Sequence, residues 1–378
     1  VLLCLYAVLL CPTLLSADLL CTLHLPLLTP IVLLTVALLS ILPCATMYCT
    51  CTALQGFSDR MYPFLYDAQT GVQYDEVVRE HTLGAPLSSS AAKHFAPAST
   101  ELPKQPVQFQ DGAKEAAQFE ANAKTKVLFL VTPKLAAFAR DYYACPSLPG
   151  APADAFSEGS HWRQANVNHE LMQPASAEDS QRKRISAFTL NFLDDTGWYV
   201  TDKSAAQELE WGRGAGCSFV LDGCGSWATS NTNKQSYYCS DSQAGKDVCT
   251  HDNRGIGTCS AIPGTSCFTA RADAAKPLLY CQDSNSFSRS GRQGVAAAFK
   301  AVGGAVGSQS SRCLNTPQKL CTGSACAGDA GAAICADTSC DASGKLYVEL
   351  NVGGKSSKLP CTDGELVPVV VSGKDRAL

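Results

Sequence analysis

An α+β fold in three unlike parts, the last β-rich and stapled by disulfides, is what this 378-residue chain predicts. Three observations lead there. Residues 126–143 read as strand, turn and helix in immediate succession. Thirteen of the 20 cysteines fall between Cys217 and the last residue. Within that same stretch Lys345–Val352 alternates apolar and polar side chains, the pattern of a half-buried strand.

Composition bounds the rest. The chain is long enough for two domains and a sizeable core. Apolar residues are 46% and charged residues 17%, which excludes wholesale disorder. Lys plus Arg number 30 against 34 Asp plus Glu, a formal charge of −4, so nothing points to nucleic acid as a partner. A reducing compartment would leave the 20 cysteines as idle thiols, so the expected location is extracellular or at the cell surface.

The first part, residues 1–52, is rich in Leu, Thr, Pro and Cys and carries one charged residue, Asp18. Its best apolar run, Ile31–Leu42, is 12 residues long between Pro30 and Pro43. A spanning helix needs ~20. The run is closer to a signal-peptide core, yet no basic residue precedes it. Signal-like, anchor-like and out-of-frame readings of this segment all stand at this point.

The second part, 53–216, reads as mixed helix and strand. Lys126–Val131 is a short apolar run of strand formers. Thr132 and Pro133 then supply a cap and a first helical residue, and 134–143 suits a helix. A second helix is expected over Ser186–Asp195, with Phe188 and Phe192 four apart on one face and Gly197 to end it. Asp194 and Asp195 are expected to face water near that helix end. The Ala/Ser/Pro/Gln-rich stretch 84–113 reads as loop. In the third part, 217–378, Lys358–Cys361 and Leu366–Ser372 bracket an expected turn at Thr362-Asp363-Gly364. Cys145 joins Cys217, Cys224, Cys239, Cys249, Cys259, Cys267, Cys281, Cys313, Cys321, Cys326, Cys335, Cys340 and Cys361 as disulfide candidates. They are fourteen in all, an even number whose pairing spacing alone does not give.

Six histidines are available for chemistry: His24, His81, His94, His161, His169 and His251. No two are spaced as HExxH, and CxxC, GxSxG, P-loop and GxGxxG signatures are absent. Gly212–Gly216 (GRGAG) lacks the Lys-Ser/Thr of a phosphate loop. His81 follows Val77 and Val78, so it has no helical partner for a metal.

The informative order is Gly159-Ser160-His161-Trp162, then Asn168-His169-Glu170-Leu171-Met172-Gln173-Pro174. After these come Phe188-Thr189-Leu190, Asp194-Asp195-Thr196-Gly197-Trp198-Tyr199, and Trp211-Gly212-Arg213 running to Gly216-Cys217. This succession resembles the leishmanolysin family, zinc metalloproteases of the metzincin clan. Gly56-Phe57-Ser58 with Tyr62-Pro63-Phe64, Thr132-Pro133-Lys134 and Cys145-Pro146-Ser147-Leu148 extend the resemblance upstream. The later cysteines resemble the family's Cys-rich C-terminal domain.

The resemblance implies the remnant of a metzincin catalytic domain followed by that Cys-rich domain. It implies one Zn2+, protein or peptide substrates, and hydrolysis of peptide bonds. His161 matches the third zinc ligand and Met172 the methionine of the turn beneath the metal. His169 stands where the family has Asp, and Glu170 reads as a structural hydrogen-bond acceptor. In such enzymes three neutral imidazoles leave a fourth position for water, whose pKa the metal lowers toward ~7.

The sequence departs from the family where the zinc helix should stand. Ala45–Leu54 (ATMYCTCTAL) replaces HExxH, so the catalytic Glu and two ligands are missing. Cys49 and Cys51, at i and i+2, would point to different sides of a helix. Out-of-frame translation upstream of about residue 53 accounts for both this loss and the odd composition. Shifting Ala45–Thr50 to the third base of the Ala codon permits His-x-Val-Leu-His, though not Glu at x. The expectation is an enzyme by descent with little activity as written. The rival is a non-catalytic adhesion module that binds cell-surface or matrix proteins, the family being associated with adhesion as well. A third reading has residues 1–45 anchoring a Cys-rich domain to a membrane.

Overall fold

A computed structural model describes residues 57–94, 124–174, 183–225 and, between short gaps, 237–360, together with Trp227 and the strands at 368–371 and 374–377. The readings made above for 1–56, 95–123 and 361–367 lie outside the described residues. The chain divides into two compact units, Val1–Asp222 and Gly223–Leu378.

The first unit contains an antiparallel sheet of β1 (Val78–Thr82), β2 (Ala91–Lys93), β3 (Lys126–Leu130) and β4 (Ala151–Ala153), in the order β2-β1-β3-β4. Strand β3 is central, and Val127, Leu128, Phe129 and Leu130 are all buried, as a run of apolar strand formers should be. Helix α1 (Pro133–Tyr142) follows within three residues and buries Leu135, Ala136, Ala139 and Tyr142. Helix α2 (Ala187–Asp195) packs against it and buries Phe188, Phe192 and Leu193. Ser186 caps α2 by accepting the Phe188 N–H. Gly197 follows the last turn with φ +83, and a Cβ there would meet the Tyr66 carbonyl oxygen at 2.4 Å, so only glycine closes this end. A short helix α3 (Cys217–Leu221) ends the unit.

Three expectations fail locally. The stretch 84–113 is not all loop: a 3-10 turn at Leu87–Ser89 leads into β2, which pairs with β1 from Val78↔Lys93 to Glu80↔Ala91. Thr132 occupies the N-cap position of α1 but makes no side-chain capping bond. Asp195 of α2 reaches across instead, its carboxylate accepting the Leu135 N–H at 2.9 Å. Asp195 is therefore buried, 3% exposed, and not water-facing as its place at a helix end suggested. The pairing is favourable because the carboxylate leaves the negative end of its own helix for the positive end of α1. Asp194 stays at the surface with Lys134 at 2.7 Å and Lys203 at 3.4 Å.

The second unit is β-rich. One sheet runs β5 (Asp247–Cys249), β6 (Gly255–Ala261), β7 (Phe268–Arg271), with β8 (Leu279–Tyr280) also pairing β6. Helices α4 (Ser284–Arg289) and α5 (Gln293–Ala301) follow. A second sheet has the order β14-β13-β12-β9, built from β9 (Ser311–Asn315), β12 (Ala333–Cys340), β13 (Leu346–Val352) and β14 (Lys355–Pro360). The hairpin of β10 (Leu320–Thr322) and β11 (Ala325–Ala327) sets Cys321 opposite Cys326 in register. Strands β15 (Pro368–Val371) and β16 (Lys374–Ala377) form a separate hairpin. Strand β14 pairs with β13 from Val352↔Lys355 to Tyr347↔Pro360, and the turn expected at 362–364 lies outside the described residues.

Disulfides join Cys145–Cys217 in the first unit and Cys224–Cys267, Cys239–Cys259, Cys249–Cys313 and Cys281–Cys335 in the second. Cys313 and Cys335 are register partners on β9 and β12, yet neither bonds the other. Each reaches off the sheet, to β5 and to the residue after β8, so the two bonds lock one sheet onto the next layer. Ile256, Leu279, Phe287, Phe299 and Ile334 fill the core between them. The bridged residues are 64 and 54 positions apart, and loop closure of that size stabilises by about 4 kcal/mol each. Cys340, expected to pair, bonds no other cysteine among the described residues and its thiol is exposed. Its strand register sets it opposite Leu346, with no cysteine across from it.

Candidate functional site

The segment that carries His161 leaves β4 through a tight loop and returns beside it. Ala153 bridges Trp162, the Asp154 N–H donates to the His161 carbonyl at 2.8 Å, and the Arg163 N–H donates to the Pro152 carbonyl at 3.1 Å. Residue alternation then sends Trp162 inward and His161 to the other face. Trp162 is fully buried among Phe57, Phe188 and Phe192, with ring centroids 4.7, 5.7 and 6.5 Å away. Its indole N–H donates to Thr189 Oγ1 at 2.9 Å.

The Trp162 backbone N–H donates to the Met172 carbonyl at 2.9 Å, which docks the methionine turn against the His161 strand. Met172 is completely buried. His169 opens the turn in the left-handed region at φ +64, a conformation that Asn, Asp and His adopt more readily than most side chains. This is the physical reason a His is tolerated where the resemblance expects Asp. Asn168 Oδ1 accepts the His169 N–H at 2.9 Å, and the His169 ring meets Trp211 edge-on at 6.0 Å.

Glu170 holds the turn together from inside. It is 0% exposed and accepts four hydrogen bonds. Oε2 takes the Met172 N–H at 2.5 Å, and Oε1 takes the Ser186 N–H at 3.2 Å, the Ser186 hydroxyl at 3.1 Å and the Thr189 hydroxyl at 2.5 Å. Burial raises its pKa, and these donors pull it back only in part. The carboxylate thus links the turn to the start of α2, and through Thr189 to Trp162. Sequence reading treated it as a hydrogen-bond acceptor; the number of its partners was not legible, since they lie up to 19 residues away.

The Trp-Gly and Gly-Cys segment closes the same body. Trp211 donates its indole N–H to the Ala165 carbonyl at 2.9 Å, and Tyr142 donates its hydroxyl to the Trp211 carbonyl at 2.8 Å. Gly212, at φ +80, lies so close to Phe219 that a Cβ would sit 2.5 Å from the ring. The GRGAG run is thus a structural turn, and its Gly214 and Gly216 N–H groups donate to the Tyr142 and Tyr143 carbonyls.

His161 itself is half-buried, and its Nδ1 is buried with no hydrogen-bond partner among the described residues. Desolvation and then the charge of Lys183 lower its pKa, so the ring is neutral at physiological pH, the state that binds a metal. A single imidazole does not hold zinc. Among the described residues no group of three His, Cys, Asp or Glu is placed to bind a metal ion. The described residues alone therefore do not fit the zinc site that the resemblance implies. His81 lies on β1, buried among strand residues with Ser90 Oγ 2.9 Å from Nδ1, and takes no part in this region's chemistry. Besides this region, a groove of about 250 Å³ lies between α1, α2 and residues 206–213.

The first unit thus carries a histidine strand hydrogen-bonded to a buried methionine turn, and the second is stapled by disulfides. The leishmanolysin family profile (Peptidase M8) matches residues 105–374, and the chain belongs to that family. Leishmanolysin of Leishmania donovani is 30% identical over 245 residues, covering 60% of this chain and 39% of that protein. The leishmanolysin-like peptidase of Caenorhabditis elegans is 32% identical over 147 residues, covering 35% and 22%, and that of Drosophila melanogaster is 31% identical over 142 residues, covering 35% and 20%. The chain thus spans about a fifth to two fifths of the length of these relatives.

Proposed function

We propose that this chain is part of a leishmanolysin-type zinc metalloendopeptidase, a remnant of the metzincin catalytic domain with its Cys-rich partner, acting on peptide bonds in proteins. His161 is read as one imidazole ligand of a single Zn2+ and Met172 as the thioether beneath it. The observation that carries this reading is the half-buried His161 ring, its buried Nδ1 without a partner among the described residues, on a strand hydrogen-bonded through Trp162 to the Met172 turn. The five disulfides among the described residues support a secreted or surface-displayed protein. Among those residues no helix is long and apolar enough to cross a membrane.

The sequence as written lacks HExxH, so the 378-residue chain should have little activity. Purified chain should bind less than one zinc per molecule and cleave casein no faster than the His161→Ala variant. Metal-dependent cleavage above that control would overturn the inactivity, and a full zinc equivalent that survives His161→Ala would overturn the ligand assignment. The alternative reading is a non-catalytic adhesion module for cell-surface or matrix proteins. Zinc stoichiometry in the protein isolated from its natural source separates the two, because an adhesion module needs no metal.

A further inference from the structure

Phe156 is the only exposed residue in the run 151–160, and it is also the largest apolar side chain there. Half of it, 50%, faces solvent, while Ala153, Ala155 and Gly159 are buried and Ser157 is half-buried. The loop that displays it is fastened on several sides. The Asp154 N–H holds the His161 carbonyl at 2.8 Å and the Gly159 N–H holds the Asp154 carbonyl at 2.9 Å. The Asp154 carboxylate accepts the Ser157 N–H at 3.0 Å, and Tyr62 donates its hydroxyl to the Gly159 carbonyl at 2.7 Å. Glu158, left-handed at φ +54, is ion-paired to Lys93 on β2.

An aromatic ring held out by a rigid loop loses little further entropy on binding, which is why such rings serve as contact anchors. Position adds to this. Asp154 stands opposite His161 at the ~5 Å spacing of an antiparallel pair, and two residues reach at most ~7 Å further. The Phe156 Cα therefore stays within about 12 Å of the His161 Cα, a span that an extended peptide at ~3.3 Å per residue covers in about four residues. Phe64, 42% exposed, sits two residues from Tyr62 and adds a second apolar side chain to the segments joined at Gly159.

We infer that Phe156 is a specificity-determining residue that contacts an apolar side chain of a peptide substrate, within about four residues of the part of the peptide that lies beside His161. The inference rests on the peptide-processing reading above. Its test reads binding and does not require turnover. Two fluorescein-labelled Gly/Ser peptides, identical except for a central block of three Leu or three Ser, are titrated by fluorescence anisotropy. The wild-type chain should bind the Leu peptide at least tenfold tighter. Phe156→Ser should cut that preference below twofold with the Ser-peptide affinity unchanged, and Phe156→Leu should keep most of it. Val200→Ser, at a side chain 99% exposed elsewhere on the unit, should leave it intact. Unchanged preference in a folded Phe156→Ser variant, or an equal loss in Val200→Ser, overturns the assignment alone. Failure of folded wild-type protein to bind either peptide overturns the peptide-processing reading and this inference with it.

Discussion

Glu170 offers the sharpest perturbation of the methionine turn. Its carboxylate is fully buried and faces four donors and no acceptor. In Glu170→Gln the amide oxygen can replace Oε1 and keep the Ser186 and Thr189 bonds. The amide NH2 then points at the Met172 N–H, donor against donor, and one buried N–H is left unsatisfied at a cost of about 1–3 kcal/mol. In Glu170→Ala both backbone N–H groups lose their acceptor. The two hydroxyls can rotate elsewhere, so the expected loss is about 3 kcal/mol, with a small cavity added. Urea denaturation with disulfides intact measures both. The chain has only three methionines, so methyl-labelled Met NMR can follow the Met172 resonance, which should move in both variants. The sign with pH is also fixed. Because the folded pKa is raised, the folded state keeps the proton to higher pH than the unfolded chain does, and this group's contribution falls as pH rises through that value. Glu170→Gln should lack that slope. If both variants stay within ~0.5 kcal/mol of wild type, the ordinary range for surface changes, the turn is not held in the way described.

Other outcomes follow from the same geometry. Burial lowers the His81 pKa, against an opposing pull from Asp222, so stability should fall as pH drops below the ordinary ~6.5 of an unfolded histidine; His81→Asn should flatten that acid limb in pH-dependent urea midpoints. Asp195→Ala should cost about 1–2 kcal/mol by uncapping α1, whereas Asp195→Asn keeps an acceptor oxygen and should cost less than half as much; thermal melts decide it, and equal losses would refute the capping role. Alkylation of the native, unreduced protein should modify Cys340 and spare Cys249, Cys281, Cys313 and Cys335, as peptide mapping by mass spectrometry can check.

Local rules recovered what local forces decide. The apolar run at β3, the Thr132-Pro133 entry into α1 and the Ser186 and Gly197 limits of α2 were legible because each depends on a few neighbouring residues. Long-range choices were not. Nothing near Asp195 announces that it will cap a helix starting more than 60 residues earlier, since an acid at the end of a helix ordinarily turns to water. Disulfide pairing escaped spacing altogether, because Cys249 and Cys281 each cross to another sheet.

The family resemblance and the missing zinc helix meet in how the described body is held. His161 is positioned by backbone bonds to Asp154 and, through Trp162, to Met172; neither bond involves a metal or its other ligands. Trp162, Phe57, Phe188 and Phe192 close the core behind it, and Cys145–Cys217 ties the end of that body back to the segment following α1. A site built in this way separates folding from metal binding. The packing that aims His161 stands on these bonds and rings alone. His161→Ala should therefore leave the unfolding free energy in urea within ~0.5 kcal/mol of wild type, because a half-buried ring whose Nδ1 has no partner among the described residues contributes little to stability where it stands.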